Sequence, residues 1–224
     1  MIKAVFFDLI GTIIYAKKAF SFEEVSNYLF SRGYEISPQQ FKASWLFVTF
    51  VDYPRFCYKN WEEFLNRVLQ RLNIEIDKTT FKNLIKIFEK CEYALYPDVE
   101  NAFSRIRNLG LKIAVITTTP LFMFCESIKP IRRHLDCIIT GCEAGCDKSN
   151  PRMYVKALKL LEVRPEECIV VGDDPQLDVT IPKRVGMYTI LLDRQLSRKD
   201  SVADAIAENL DKVAEIIERK IAEN

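Results

Sequence analysis

Residues Lys3–Thr12 read KAVFFDLIGT, an apolar run that ends in an aspartate followed shortly by a glycine. The run is continuous rather than alternating, which is typical of a strand buried on both faces of a parallel sheet. We therefore predict a buried strand at Lys3–Phe7. Three runs of the same kind and a weaker fifth predict further strands, at Lys112–Ile116 (KIAVI), Cys168–Val171 (CIVV), Tyr188–Leu192 (YTILL) and Cys137–Thr140 (CIIT).

Helical patterns separate the predicted strands along the chain. They cover Val99–Leu109, Pro120–His134, Pro151–Leu161 and Pro182–Val185. The alternation of strands and helices predicts an α/β protein with a parallel sheet. The C-terminal stretch Ser201–Asn224 predicts one amphipathic helix, whose apolar face would consist of Ile206, Leu210, Val213, Ile216 and Ile217.

Residues 15–95 follow a different pattern, dense in aromatic and aliphatic residues at helical spacing. We predict four helices, at about 21–32, 38–51, 60–73 and 78–93. The block would be an all-helical insertion after the first strand, so that residues 1–14 and 96–224 form the α/β domain. Five aromatic residues could line a pocket or fill the interior of the block, and we expect the interior for most of Trp45, Phe47, Phe50, Tyr53 and Phe56.

Composition and charge exclude several classes of protein. The 224 residues carry 32 Lys and Arg against 31 Asp and Glu, a net charge of +1, which argues against a dedicated nucleic-acid binder. The hydrophobic fraction of 49% excludes intrinsic disorder, and no apolar run reaches the length of about 18 residues expected of a membrane span. Asp8 interrupts the apolar N-terminus and no cleavage signal follows, so we expect a cytoplasmic protein.

The cysteine pattern gives little support to a metal site. Among seven cysteines, Cys137, Cys142 and Cys146 lie close together, but their spacing is not CxxC and the chain has a single histidine, His134. We expect reduced, buried cysteines and a surface position for His134. A 137–142 or 142–146 disulfide stays open as an alternative.

Polar residues follow the predicted strands in order. Asp8 follows Lys3–Phe7, Thr117–Thr119 follow Lys112–Ile116, and Gly172–Asp178 (GDDPQLD) follow Cys168–Val171. Lys148 lies in the loop after the weak strand Cys137–Thr140. Ligands of open α/β sheets bind at the carboxyl ends of the strands. Clustered carboxylates with few histidines favour Mg²⁺, and a lysine and a hydroxyl could hold an anionic group. Any one of these could be structural, as a turn or a helix cap, but the ordered set predicts a site for phosphoryl transfer to a carboxylate.

The chain resembles the haloacid dehalogenase (HAD) superfamily of hydrolases. FFDLIGT is similar to its first motif, AVITTT to the second, DKSNP to the third and VVGDDPQLD to the fourth. The resemblance covers the whole chain and implies a Rossmann-like core, with residues 15–95 in the place of the family's type 1 helical cap.

The resemblance also implies roles for individual residues. Asp8 matches the covalent nucleophile, Thr117 the residue that hydrogen-bonds the transferring group, and Lys148 the ammonium that steadies the nucleophile. Asp173 matches the acidic metal ligand, and Asp178 matches the acid that completes the network around the metal or the lysine.

Three further positions complete the set of expected site residues. The family's remaining Mg²⁺ ligand is a backbone carbonyl, which here belongs to Ile10. Thr118 lies beside Thr117 in the second motif and is expected to contact substrate. NPRMY after Lys148 is similar to the dehalogenase PxPRVY, so that Tyr154 is also expected to contact substrate.

Ile10 departs from the family's phosphatase pattern, in which a second aspartate protonates the leaving group. We expect a Mg²⁺-dependent phosphohydrolase of a small, anionic, phosphorylated metabolite, weakened by this loss. A metal-independent 2-haloacid dehalogenase is one alternative, with Arg32 or Arg55 as carboxylate or halide binder. A binding or regulatory member with little catalysis is the other. The sequence leaves the substrate and the choice between monomer and homodimer open.

Overall fold

The computed structural model describes residues 1–195 and 202–223. A central sheet of six strands contains β1 (Ala4–Phe7), β4 (Lys112–Ile116), β5 (Cys137–Ile139), β6 (Cys168–Gly172), β7 (Tyr188–Leu192) and β8 (Ala205–Ala207). The strand order is β5-β4-β1-β6-β7-β8, and every neighbouring pair is parallel. The five predicted strands are confirmed, and β1 and β6 lie at the centre of the sheet.

Helices cover both faces of this sheet. On one face, α6 (Val99–Asn108) and α11 (Leu210–Ala222) pack on alternate strand residues such as Val5 and Phe7. On the other face, α9 (Arg152–Leu161) and α10 (Ile181–Val185) pack on the residues between them. Both faces are therefore buried, which explains why the strands read as continuous apolar runs. The α/β class with a Rossmann-like parallel sheet is confirmed.

The helical insert, as we call the residues between β2 (Ile14–Lys18) and β3 (Glu92–Leu95), contains five α-helices. They are α1 (Phe22–Phe30), α2 (Pro38–Phe47), α3 (Tyr53–Phe56), α4 (Trp61–Arg71) and α5 (Lys78–Glu89), and a π-helical turn at Val48–Asp52 joins α2 to α3. The longer four begin at side-chain caps, Ser21, Ser37, Asn60 and Asp77. The insert has its own hydrophobic cluster, in which Trp45, Phe64 and Phe88 pack against one another.

The insert departs from the prediction at its ends and in its middle. β2 and β3 pair antiparallel where the block meets the sheet, and they escaped prediction because they are short and half-exposed. The predicted helix 38–51 leaves α-helical geometry after Phe47, and the short α3 follows the π-helical turn.

Two helices predicted outside the insert are wrong in part. The segment predicted as one helix at 120–134 consists of 3₁₀ turns at Leu121–Met123 and Lys129–His134 around the short α7 (Cys125–Ile128), and Pro130 cannot donate a helical hydrogen bond. The C-terminal helix begins only at Leu210, after the Asn209 cap. Ile206 is 38% exposed and lies in β8. Ser201 and Asn224, the ends of that predicted helix, lie outside the described residues.

The cysteine prediction is also wrong in part. Cys57 and Cys142, separated by 85 residues, form a disulfide with a Cα–Cα distance of 5.0 Å. Cys142 thus pairs with neither of its neighbours in sequence. The five other cysteines are free, with Cys168 buried, Cys125 exposed and Cys91, Cys137 and Cys146 half-buried. His134 is half-buried, against the expected surface position, and burial lowers its pKa.

One further feature concerns membranes. Within the ranges 1–195 and 202–223, the structure contains no helix with both the length and the apolar character that crossing a bilayer requires.

Candidate active site

A cavity of about 280 Å³ lies at the carboxyl ends of the central strands. Because these strands are parallel, the residues that follow them meet at one edge of the sheet: Asp8 after β1, Thr117 after β4 and Asp173 after β6. The cavity is lined by Asp8, Ile10, Phe50, Thr117, Thr118, Thr119, Lys148, Asp173, Asp174, Leu177 and Asp178. Except for Tyr154, every site residue expected from the sequence is among these lining residues.

Lys148 is the cationic centre of this cavity. Its Nζ lies 2.6 Å from Oδ1 of Asp8 and also pairs with Asp178, and its side chain is only 5% exposed. Burial by itself lowers the pKa of the ammonium, but the carboxylates of Asp178 and Asp8 outweigh it and hold that pKa well above its usual range. Lys148 is therefore charged at neutral pH and fixes the position of the Asp8 carboxylate.

Three carboxylates surround this single ammonium. One oxygen each from Asp8, Asp173 and Asp178, which we call the acidic cluster, lies within 4.8 Å of the others. Burial raises the pKa of Asp178, and burial together with the Asp8 carboxylate raises the pKa of Asp173. Hard oxygen donors at this spacing fit a divalent cation such as Mg²⁺, which would offset the excess of negative charge.

Two glycines make room for the acidic cluster. Gly11 has a φ of 87°, and a Cβ there would lie 2.5 Å from Oδ2 of Asp173. A Cβ on Gly172 would overlap the carboxylate of Asp178. The missing side chains of Gly11 and Gly172 therefore leave the space that these two acids occupy.

The three threonines after β4 make different contacts. The hydroxyls of Thr117 and Thr119 lie 2.8 Å apart and form a hydrogen bond with each other. Thr118 accepts a hydrogen bond of 3.1 Å from the backbone N–H of Lys148. Thr118 thus positions the lysine loop in addition to lining the cavity.

Tyr154 lies behind the site. Its side chain is fully buried, and its hydroxyl donates to the carbonyl of Leu177 at 2.6 Å and lies 3.4 Å from Oδ1 of Asp178. Because it is buried and does not line the cavity, Tyr154 positions Asp178 and does not contact a substrate in this arrangement. The interpretation of Tyr154 as a substrate contact is corrected accordingly.

Asp174 is one of the lining residues and has a structural role. Its side chain accepts hydrogen bonds from the backbone N–H groups of Gln176 and Leu177, at 2.8 and 2.9 Å. It therefore caps the π-helical segment Pro175–Thr180, which carries Asp178 into the cavity.

Phe50 is the lining residue that comes from the set of five aromatic residues for which the sequence allows either a pocket or an interior position. Of the five aromatic residues expected mostly in the interior, Trp45 and Tyr53 are buried, whereas Phe47, Phe50 and Phe56 are exposed by 37%, 39% and 60%. Nothing in the local pattern distinguishes Phe50 from Phe47, because only the packing of the insert on the core decides which of them faces the cavity. Arg32 and Arg55 do not line it.

Residues 2–186 match the family model of haloacid dehalogenase-like hydrolases. The chain belongs to this family. Phosphoserine phosphatase of Thermus thermophilus is 32% identical over 117 residues, which cover 51% of this chain and 47% of that protein. Glyceraldehyde 3-phosphate phosphatase of Methanopyrus kandleri is 30% identical over 101 residues, which cover 44% and 43%. The chain thus spans less than half the length of these relatives.

Solved structures of the family share the fold over nearly the whole chain. A HAD phosphatase from Thermococcus onnurineus superposes with a TM-score of 0.66 at 24% identity, covering 96% of this chain and 98% of that one. A 2-haloacid dehalogenase from Pseudomonas syringae has a TM-score of 0.71 at 18% identity, covering 98% and 99%. The fold is therefore common to phosphatases and dehalogenases and does not choose between them.

Proposed function

We propose that this HAD-family protein is a Mg²⁺-dependent phosphohydrolase of a small phosphorylated metabolite, with Asp8 as the covalent nucleophile. The observation that best supports this function is the acidic cluster of Asp8, Asp173 and Asp178 around the buried Lys148. A site with three carboxylates and one ammonium repels an anionic substrate unless a cation also binds there. We also propose that the helical insert is the family's cap and that the protein works in the cytoplasm.

The reaction follows from the positions of these side chains. A carboxylate oxygen of Asp8 attacks phosphorus, and the bond to the leaving oxygen breaks as that oxygen takes the electron pair. Lys148 keeps the nucleophile in place, and Thr117 hydrogen-bonds an oxygen of the transferring group. Asp8, Asp173, Asp178 and the carbonyl of Ile10 would hold Mg²⁺, which neutralises negative charge on the phosphoryl group. Water then attacks the aspartyl phosphate and releases inorganic phosphate, restoring the Asp8 carboxylate.

Ile10 sets the limit of this activity. Its side chain lines the cavity and is 39% exposed, but it can neither protonate a leaving oxygen nor take a proton from water. General acid–base catalysis of this kind commonly contributes about 10²–10⁴ in rate. We therefore expect weak activity on substrates whose leaving group needs a proton, and slow hydrolysis of the aspartyl phosphate.

The same isoleucine favours one alternative, 2-haloacid dehalogenation, in which Asp8 would attack carbon and expel halide without a proton donor. Asp173 is evidence against this alternative, because an additional, half-buried carboxylate beside Asp8 repels a carboxylate substrate. A member that binds a ligand with little turnover is the third possibility.

A paired assay separates these functions. The substrate is p-nitrophenyl phosphate, because p-nitrophenolate leaves without a proton. We expect phosphate to be released only with Mg²⁺, and we expect Asp8→Asn to abolish the release. Asp211→Asn serves as the matched control, since it makes the same change at a half-exposed acid of α11 that does not line the cavity. The same preparations are tested on 2-chloropropionate for halide.

The outcomes differ for each function. Halide release without metal would establish dehalogenation and overturn the proposal. Absence of turnover in both assays, with thermal stabilisation by inorganic phosphate and Mg²⁺, would identify a binding protein. Phosphate release that survives Asp8→Asn would show that another group is the nucleophile.

A further inference from the structure

We propose that Phe50 and Ile10 form an apolar wall that selects the leaving group of the substrate, and that the Cys57–Cys142 disulfide holds Phe50 in this wall. The inference rests on the phosphohydrolase function proposed above. It adds the class of substrate: a phosphoryl donor, such as an aryl or acyl phosphate, whose leaving group is apolar and departs without a proton.

The direction of the reaction brings the leaving group to this wall. In an in-line displacement the leaving oxygen departs on the side opposite the attacking oxygen. Lys148 and the acidic cluster gather around the attacking carboxylate of Asp8. Among the described residues, Phe50 is the one lining residue that the helical insert contributes, and the other ten belong to the core. We therefore place the leaving group on the side of the insert, which contributes none of the charged lining residues.

The wall offers contact and no proton. Ile10 and Phe50 are each 39% exposed, so both have hydrocarbon surface free to be covered by a bound group. Covering such surface favours an apolar leaving group over a small polar one. Neither side chain can act as an acid, which restricts efficient substrates to leaving groups that are stable as anions.

The backbone that carries Phe50 is fastened to the core directly after it. The π-helical turn Val48–Asp52 runs into α3, and the residue that ends α3, Cys57, is bonded to Cys142 of α8 (Gly141–Ala144). The hydroxyl of Tyr53 also donates to Oγ1 of Thr140 at 3.1 Å.

The fit between α3 and α8 is close. A Cβ on Gly141 would lie 3.1 Å from Cγ of Pro54. The turn at Val48–Asp52 is thus held against the core by a covalent bond, a hydrogen bond and a close packing contact.

The disulfide is a third covalent connection between insert and core. The other two are the chain crossings at β2 and β3, which pair with each other as one two-stranded ribbon. Without the disulfide, insert and core are joined covalently only through this ribbon. Reduction by a dithiol transfers two electrons and two protons to the bridge, giving two thiols and an oxidised dithiol, and removes the covalent connection beside Phe50.

Two substrates test the wall, because both have leaving groups that depart without a proton. p-Nitrophenyl phosphate has an aromatic leaving group and acetyl phosphate a small one. The measured quantity is kcat/KM for p-nitrophenyl phosphate divided by kcat/KM for acetyl phosphate. With Mg²⁺ present, we expect Phe50→Ala to lower this ratio about tenfold. Phe47→Ala is the control, since it removes a similarly exposed ring from the same part of the insert but not from the cavity, and we expect it to leave the ratio unchanged.

The disulfide is tested with the same ratio, which does not depend on the amount of active protein. We expect a dithiol, or Cys57→Ser, to lower the ratio in the wild-type background and to have no further effect on Phe50→Ala. An unchanged ratio in Phe50→Ala would overturn the wall. A ratio that falls in Phe50→Ala but resists reduction would overturn the role of the disulfide. If neither substrate released phosphate in a Mg²⁺-dependent way, the result would instead contradict the proposed function itself.

Discussion

The cavity joins two regions that are built on different principles. On the core side, charged groups hold one another: Lys148 pairs with Asp8 and Asp178, and Tyr154 lies behind them. On the side of the insert, aromatic rings pack around Trp45, and a single ring, Phe50, lines the cavity. In the proposed function, the core side would supply the chemistry, which depends on fixed charges, and the insert would supply shape and apolar contact.

The largest effect is expected from removing the ring at the centre of the insert, which tests whether aromatic packing stabilises this region. Trp45 is 9% exposed, with ring centroids 4.7 Å from Phe64 and 4.9 Å from Phe88. We expect Trp45→Ala to lower the free energy of unfolding by about 3–5 kcal/mol, as measured by urea denaturation.

A matched control for Trp45 is Phe47→Ala, because Phe47 is 37% exposed. It should cost much less stability. Equal losses in both variants would mean that the aromatic cluster is not the source of the insert's stability.

A second experiment places on the core side an acid at position 10, where the isoleucine cannot donate a proton. Because Ile10 is 39% exposed in the cavity, an aspartate fits there without burying its charge. We expect Ile10→Asp to raise kcat/KM for an alkyl phosphate, up to the contribution of about 10²–10⁴ usual for general acid catalysis. Ile10→Asn has nearly the same shape and no acid, and it should give no gain. If both variants behave like the wild type, another group already supplies the proton.

The smallest effect concerns a charged contact of the core away from the site. Glu167, directly before β6, accepts from Lys3 at 2.8 Å, and this contact, with those from Arg164, lowers its pKa from 4.5 to about 2. The contribution to stability is thus complete above pH 4.5 and is lost as the pH falls towards 2.

We expect Glu167→Gln to reduce stability at pH 7, with a difference from wild type that shrinks between pH 4.5 and 2 in urea denaturation. Glu166→Gln is the control, because Glu166 is exposed and, within residues 1–195 and 202–223, forms an ion pair only with the exposed Arg164. A difference that grows on acidification would contradict the ionised contact.

The contrast between the two regions also explains what the sequence could predict. Asp8, Thr117 and Asp173 each follow a strand directly, so that the parallel sheet brings them together once the strands are recognised. Phe50 reaches the cavity through the packing of a π-helical turn, which leaves no periodic signal. The disulfide was missed for the same reason, because Cys57 and Cys142 meet only when α3 packs on α8. Tyr154 was found by its motif, but its burial behind Asp178 depends on α9 and the segment after β6.

The role of Asp8 as covalent nucleophile is tested most directly by the mass of the intact protein. The mass is measured after brief exposure to p-nitrophenyl phosphate and Mg²⁺ and quenching with acid. Because Ile10 cannot activate water, the aspartyl phosphate should accumulate. We expect the mass to increase by one phosphoryl group, which peptide mapping locates on Asp8 and which is absent without Mg²⁺. Steady phosphate release from a protein that stays unmodified, or a phosphoryl group on a residue other than Asp8, would contradict it.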